Sequence, residues 1–159
     1  MALGACPSLF SSISVLVSAL LCLVVAVSDG DTLTARCGPT GAQAPIKVRI
    51  AAIDAPESRQ AYGASARQQL VQLCLKKRAR IEPLGQDSYG RTVANVRCGQ
   101  TDVATAQVRS GLAWVAPSHA KGHPHLAPLQ QQARQHQRGL WAQRRPLAPW
   151  TYRHRYHQR

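Results

Sequence analysis

The order of the predicted elements indicates an α+β fold built on a small antiparallel barrel. Three short β-rich runs come first, a helix follows, and two more strands come next; a helix, a short apolar strand and a last helix complete the order. Five short strands with a helix between the third and the fourth are typical of an OB-type barrel. A chain of 159 residues has room for one such domain. We therefore expect a single five-stranded OB-type barrel with about three helices.

The first two strands form a predicted hairpin. Residues 23–27 and 32–35 are β-rich, and they flank Ser28-Asp29-Gly30-Asp31. Gly and Asp tolerate the backbone conformations that a tight turn requires. A loop rich in Gly and Pro then leads to the third strand.

The remaining elements follow from hydrophobic periodicity. In the third strand Val48 and Ile50 share one face, so alternation directs Arg49 to the other face. The first helix repeats its apolar residues at 3.6-residue spacing. A second, short helix is capped by Thr101 or Asp102, and Gly111 ends it. We predict strands at 47–53, 78–83, 91–98 and 112–116 and helices at 64–77, 102–108 and 126–140. A basic C-terminal tail covers residues 146–159, and we expect residues 153–159 of it to be mobile.

The N-terminal segment resembles an export signal. Residues 1–28 carry no charged side chain, and residues 10–27 form an apolar run diluted by Ser. Val17-Ser18-Ala19 provides a small-residue cleavage site, although no Lys or Arg precedes the apolar run. A retained membrane anchor is the alternative, because the run approaches the length that spans a bilayer. Since residues 23–27 are needed as a strand, we predict a signal peptide over residues 1–19, with cleavage between 19 and 28, and a secreted or periplasmic protein.

The cysteines agree with export. Cleavage after Ala19 removes Cys6 and leaves four cysteines, which allow three pairings. Cys22 and Cys37 are nearly equidistant from the hairpin turn, which favours the pair Cys22–Cys37 and leaves Cys74–Cys98. The alternative is that all four are small buried apolar residues.

Charge points to a polyanion partner. The chain has 20 Lys+Arg but seven Asp+Glu, a formal net charge of +13 and a pI near 10.6. Nucleic acid is the first candidate partner and an anionic membrane surface the second. Basic charge alone does not distinguish a nuclease from a passive binder.

Four of the seven acids occur in two tight pairs. Asp29 and Asp31 lie in the hairpin turn, and Asp54 and Glu57 follow the third strand. Pro56 stops that strand, so the carboxylates of Asp54 and Glu57 lie at the mouth of a sheet. Paired acids beside Arg49 indicate a metal site that acts on phosphate. Solvated turn acids, with Arg49 as a structural ion-pair partner of Glu57, are the alternative.

Three segments together resemble the active-site segments of the staphylococcal nuclease family. They are Asp29-Gly-Asp31-Thr, Arg49-x4-Asp54-Ala-Pro-Glu57 and Asp87-Ser-Tyr89-Gly-Arg91. The resemblance extends over residues 23–141 and includes Val-Arg-Ser-Gly-Leu-Ala-Trp-Val at 108–115 and Gly-Leu-Trp at 139–141. It implies a nuclease domain over residues 22–145.

The resemblance implies a Ca²⁺-dependent phosphodiesterase acting on DNA and RNA. We also expect a monomer without stable membrane association once the signal is removed. Asp31, Asp54 and the backbone carbonyl of Ala55 would bind calcium, with Asp29 nearby. Glu57 would be the general base. The phosphate would be held by the guanidinium groups of Arg49 and Arg91, and Tyr89 would contact a phosphate of the bound nucleotide.

General chemistry is consistent with these roles. Calcium prefers oxygen ligands and keeps bound waters, and a bound cation can offset substrate charge and orient a water. Planar guanidinium groups engage two phosphate oxygens at once.

Some features depart from the family pattern or admit other interpretations. Pro117 stands where the family prototype has an aromatic residue, Ser88 replaces a Lys, and the loop after Glu57 is shorter. A cluster of His119, His123 and His125 fits no common zinc spacing, so we expect a loop there. The alternative functions are a catalytically inactive nucleic-acid-binding module on the same barrel and a membrane-tethered basic protein.

Overall fold

The computed structural model describes residues 19–39 and 43–156. The strands in this part are β1 Leu20–Val27, β2 Thr32–Cys37, β3 Ile46–Ile50, β4 Ile53–Asp54, β5 Arg78–Gln86, β6 Thr92–Cys98, β7 Thr101–Asp102 and β8 Trp114–Val115. The α-helices are α1 Gly63–Cys74, α2 Val103–Arg109, α3 Leu126–Gln135 and α4 Pro149–Tyr156, and 3₁₀ turns cover Pro117–Gly122 and Gly139–Ala142. Within the described part, no helix combines the length and the apolar character needed to cross a membrane.

Five strands close into a barrel, which confirms the predicted OB-type α+β fold. Neighbours in the order β3-β2-β1-β5-β6 are antiparallel, whereas the closing pair β3–β6 is parallel. Antiparallel neighbours alternate in direction, so an odd number of strands gives the two end strands the same direction. The barrel is therefore mixed and not wholly antiparallel, and α4 adds a helix to the three that we expected.

The core lies inside the barrel and under α1. Alternate residues of the strands point inward, and α1 covers one end of the barrel with a buried face that repeats every three or four residues. Fully buried side chains of this core include Val24, Leu33, Val48, Ile50, Leu70, Ile81 and Val96.

Two disulfides connect the elements as predicted. Cys22 lies directly opposite Cys37 in the β1–β2 register and is bonded to it. A second bond links Cys74, at the end of α1, to Cys98, at the end of β6. The turn symmetry of the first hairpin therefore identified the correct pairing.

The predicted strand over residues 47–53 is wrong in its second half. β3 ends at Ile50, and Ala52 adopts the left-handed region with φ 66°. The chain resumes as β4, which leaves the barrel and pairs with β8, so that Asp54 lies opposite Trp114. This break turns Asp54 toward the mouth of the barrel.

The predicted helix over residues 126–140 is too long. α3 ends at Gln135, and positive φ angles at Gln137 and Gly139 reverse the chain. A side chain at Gly139 would overlap the backbone of Gly111, because the two segments pack closely there. The 3₁₀ turn that follows buries Leu140.

Other boundaries moved by fewer residues, except at the C-terminus. α1 ends three residues earlier than predicted, β5 extends to Gln86, and the strand predicted over residues 112–116 is reduced to β8. The predicted basic tail contains α4, which includes residues 153–156 of the part that we expected to be mobile. Residues 1–18, 40–42 and 157–159 lie outside the described residues. The predicted signal peptide over residues 1–19 falls almost wholly in the first of these ranges.

Candidate active site

The β1–β2 turn holds the first acid pair in a fixed conformation. The backbone N–H of Asp31 donates to Asp29 Oδ1 at 3.1 Å, and Asp31 Oδ1 accepts a hydrogen bond from the Thr32 hydroxyl at 3.0 Å. Gly30 lies against Ala55 and Ala66 so closely that a Cβ atom would overlap both side chains. The turn therefore requires glycine between its two aspartates.

Gln107, which we did not predict, anchors this turn from beneath. Its side chain is fully buried in α2, and its amide nitrogen donates to the carbonyls of Gly30 at 2.6 Å and Ala66 at 2.9 Å. The only signal in the sequence is a polar residue on the apolar side of a short helix. The contact connects α1, α2 and the acidic turn.

The second acid segment joins the first at the mouth of the barrel. The backbone N–H of Ala55 donates to Asp31 Oδ2 at 2.6 Å. Asp31 and Asp54 are each only 6% exposed. Both line a cleft of about 580 Å³, together with Asp29, Lys47, Arg49, Ala55, Pro56, Glu57, Tyr89, Arg91 and Arg153. Every catalytic, metal-binding and substrate-binding residue predicted from the sequence thus lies at this one cleft.

Arg49 is fixed by the break between β3 and β4. Its Nη1 donates to the carbonyls of Ile50 and Ile53, both at 2.8 Å. Its Nη2 lies 3.1 Å from Asp54 Oδ1 and 3.3 Å from Asp31 Oδ2. The ion-pair partners of Arg49 are therefore the two aspartates, and not Glu57 as one alternative had it.

Burial and neighbouring acids disfavour the charged form of Asp31. Burial raises the pKa of Asp31 from 3.8 to about 7, Arg49 opposes the shift, and Asp29 and Asp54 add to it. Buried carboxylates that share one guanidinium are a suitable donor set for a hard divalent cation.

The turn between β5 and β6 positions Arg91. Asp87 Oδ1 accepts from the backbone N–H groups of Tyr89 and Arg91, and its Oδ2 accepts from Arg91 Nε at 2.7 Å. Burial opposes ionisation of Asp87, but these hydrogen bonds outweigh it and lower its pKa. Tyr89 is 84% exposed, and the Arg91 guanidinium lies 5.4 Å from its ring centroid. The Asp87–Arg91 ion pair uses Nε, so the two terminal nitrogens of Arg91 take no part in it.

Arg153 of α4 is the most consequential residue that the sequence did not reveal. Its Nη2 lies 2.7 Å from Asp54 Oδ2, and its Nη1 lies 2.7 Å from Glu57 Oε1. The hydrogen bonds to Asp54 are the largest cause of a raised pKa for this guanidinium. Lys47 also lines the cleft, and strand alternation with Arg49 could have indicated it. No local pattern marks Arg153.

The histidine segment lies away from this cleft. His123 Nε2 is 2.8 Å from Asn95 Oδ1, and His125 Nε2 is 3.2 Å from the Thr105 hydroxyl. His119 lies in the 3₁₀ turn that begins at Pro117, and its side chain is outside the described residues. Across the described residues, no group of three or more His, Cys, Asp or Glu side chains was found that could hold a metal ion. At the cleft itself, arginine nitrogens occupy the space between the carboxylates.

The fold and the cleft together define a class of protein: an OB-type barrel with buried carboxylates and arginines suited to a phosphoester. Residues 47–143 match the family described as Staphylococcal nuclease homologue. An "Uncharacterized endonuclease" of Haemophilus influenzae is 37% identical over 132 residues, which are 83% of this chain and 72% of that protein. A "Micrococcal nuclease" of Shigella flexneri is 33% identical in an alignment of length 140 that covers 82% of this chain and 78% of that protein. The "Staphylococcal-like nuclease CAN1" of Arabidopsis thaliana is 34% identical over 107 residues, which are 67% of this chain and 33% of that protein.

The chain belongs to the staphylococcal nuclease family. This confirms the resemblance predicted from the three motifs, and it supports a nuclease function.

Proposed function

We propose that this protein is a Ca²⁺-dependent, sugar-nonspecific nuclease that hydrolyses phosphodiester bonds of DNA and RNA and leaves 3′-phosphate ends. The observation that carries the proposal is the convergence of Asp31, Asp54, Glu57, Arg49 and Arg91 on one cleft in a strongly basic chain. A protein that only bound nucleic acid would gain nothing from buried carboxylates there, because they repel phosphate.

The carboxylates of Asp31 and Asp54 would hold the cation together with the backbone carbonyl of Ala55. Asp29 lies nearby and shapes the turn by accepting a hydrogen bond from the backbone N–H of Asp31. Two observations favour this set: both carboxylates are buried, and the hydrogen bond from Ala55 to Asp31 joins the two segments. When bound, Ca²⁺ would offset the charge of the phosphate and orient a water molecule.

The side chains of the cleft divide the remaining work. Glu57, whose carboxylate is part-exposed at the rim, would take a proton from the attacking water. Arg49 and Arg91 would stabilise the charge that develops on the non-bridging oxygens of the phosphate. Arg49 is held by two carbonyls and Arg91 by Asp87, so both are oriented before substrate arrives. Tyr89 would contact a neighbouring phosphate.

Export belongs to the same proposal. Two disulfides in the described part are typical of proteins that mature in an oxidising compartment. We propose a secreted or periplasmic monomer that has lost residues 1–19, and a nuclease domain over residues 22–145. Mass spectrometry of the exported protein would give its first residue directly.

The test is the release of acid-soluble nucleotides from single-stranded DNA and from RNA, with Ca²⁺ and with a chelator. We expect Ca²⁺-dependent release that falls about 100- to 1000-fold in Glu57→Gln and in Arg91→Ala. Glu82→Gln and Arg97→Ala, whose side chains lie outside the cleft, are the matched controls and should keep full activity. Fragments with 3′-phosphate ends should be extended by a polymerase only after phosphatase treatment.

One outcome would favour the inactive binding module. If the wild-type protein bound DNA in a salt-dependent manner but released no nucleotides at any Ca²⁺ concentration, the nuclease proposal would be wrong. Release that persisted in the chelator would contradict only the metal requirement.

A further inference from the structure

The acidic centre of the cleft is occupied by a side chain from the far end of the chain. Arg153 contacts both oxygens of Asp54, at 3.2 Å from Nη1 to Oδ1 and 2.7 Å from Nη2 to Oδ2. The same Nη1 lies 2.7 Å from Glu57 Oε1. One guanidinium therefore bridges the proposed metal ligand and the proposed general base. This inference rests on the proposed function, because it concerns the cation site named there.

Specific packing brings α4 to the cleft. The Trp150 ring lies against Trp114 with centroids 5.6 Å apart, and Pro149 is buried. Trp114 pairs with Asp54 in the β4–β8 register, so the surface that receives α4 is continuous with the strand that carries the ligand. The position of Arg153 is thus fixed by packing as well as by charge.

A polar link fastens the same segment to the Glu57 loop. The Gln60 side chain accepts a hydrogen bond from the backbone N–H of Glu57 at 3.1 Å and donates one to the carbonyl of Leu147 at 2.5 Å. Glu57 is therefore connected to the C-terminal segment through Gln60 as well as through Arg153, whereas Asp54 contacts that segment through Arg153.

Arg49 contacts one oxygen of Asp54, whereas Arg153 contacts both, so a divalent cation bound to Asp54 would be strongly repelled by Arg153. Like charges a few ångströms apart in a partly buried site are weakly screened by solvent. A carboxylate whose oxygens both accept from Arg153 must release it before it can complete the coordination of a cation. Glu57 Oε1 already accepts a hydrogen bond from Arg153, so this oxygen does not face an attacking water while the pair persists.

We propose that Arg153 is a tethered cation that competes with the divalent cation for Asp54 and holds Glu57 inactive until it is displaced. In this state Arg153 of α4 lies in the cleft and compensates the charges of Asp54 and Glu57. Cation binding moves Arg153 out of the cleft and frees the helix that carries it.

The test measures Ca²⁺ binding directly, by isothermal titration calorimetry without nucleic acid. Competition of this kind corresponds to a coupling of about 5- to 150-fold. We expect Arg153→Gln to bind Ca²⁺ more tightly than the wild-type protein by a factor in that range. Arg155→Gln removes the same charge from an exposed position of the same helix and should change the affinity less than about twofold. Arg153→Lys, which keeps the charge but cannot bridge two carboxylates in the same way, should give an intermediate affinity.

Hydrogen exchange of the unaltered protein gives a second readout that needs no variant. Addition of Ca²⁺ should accelerate amide exchange in α4, including the Tyr152 N–H that bonds to the Ala148 carbonyl, while the barrel strands keep their protection. Unchanged or slower exchange in α4 would refute displacement of the helix.

The outcomes separate this inference from the proposed function. Asp54→Asn should abolish Ca²⁺ binding whether or not Arg153 is present. If wild type bound Ca²⁺ through Asp54 but Arg153→Gln bound it no more tightly, or if Arg155→Gln tightened it equally, the competition would be refuted and the metal site would stand. If neither wild type nor Arg153→Gln bound Ca²⁺, the metal site itself would be wrong.

Discussion

Replacement of Gln107 by Met tests whether the acidic turn depends on a buried amide. Met keeps an unbranched side chain of similar length but removes both donors. Each of the two hydrogen bonds, to the carbonyls of Gly30 and Ala66, contributes roughly 1–1.5 kcal/mol net. Gln107 Oε1 has no hydrogen-bond partner among the described residues, so its removal offsets part of the loss. We expect the free energy of unfolding to fall by about 2 kcal/mol.

Chemical and thermal denaturation measure this change. In a chain of this size a loss of about 2 kcal/mol corresponds to a decrease of roughly 4–8 °C in Tm. Gln131→Met, at an exposed position of α3, is the control and should leave stability within about 0.5 kcal/mol of wild type. Gln107 holds Gly30, which lies next to the proposed calcium ligand Asp31. The Ca²⁺ affinity should therefore fall in Gln107→Met and stay unchanged in Gln131→Met. Equal stability of the two variants would refute the anchoring role.

Two further predictions concern the disulfide that links α1 to the barrel and the turn that carries Arg91. A Cys74→Ala/Cys98→Ala double variant removes a disulfide whose cysteines are 24 residues apart in sequence. The free energy of unfolding should fall by about 3 kcal/mol, because the unfolded chain is no longer cross-linked. Denaturant titrations under non-reducing conditions measure this change, and an unchanged midpoint would contradict it. The lowered pKa of Asp87 contributes stability that is present above its unfolded value of 3.8 and is lost as pH falls through the folded value. The stability difference between wild type and Asp87→Asn should therefore shrink as pH falls below about 4, and a difference that stayed constant from about pH 6 to pH 2 would count against this ion pair.

Local patterns in the sequence determined the barrel and most of its acidic cleft. Strand alternation placed Arg49 and Val48 on different faces of β3. Gly30 between two aspartates identified a hairpin, and the symmetry of that hairpin predicted the Cys22–Cys37 register. Each of these features depends on residues within a few positions of one another, where the strand period and turn chemistry act directly. Even the closing parallel pair follows from an odd number of alternating strands, although we predicted it as antiparallel.

The contacts that complete the cleft were decided only by the tertiary structure. Arg153 lies 99 residues from Asp54 in sequence, and Gln107 lies 77 residues from Gly30. Nothing in a basic C-terminal segment distinguishes Arg153 from its neighbours, because its role depends on where Trp150 and Pro149 pack. The sequence by itself determined the acids of the cleft and two of its arginines, Arg49 and Arg91, through short-range patterns. The contact of the Arg153 guanidinium with Asp54 and Glu57 depends on long-range packing of α4, which the periodicity of nearby residues does not encode.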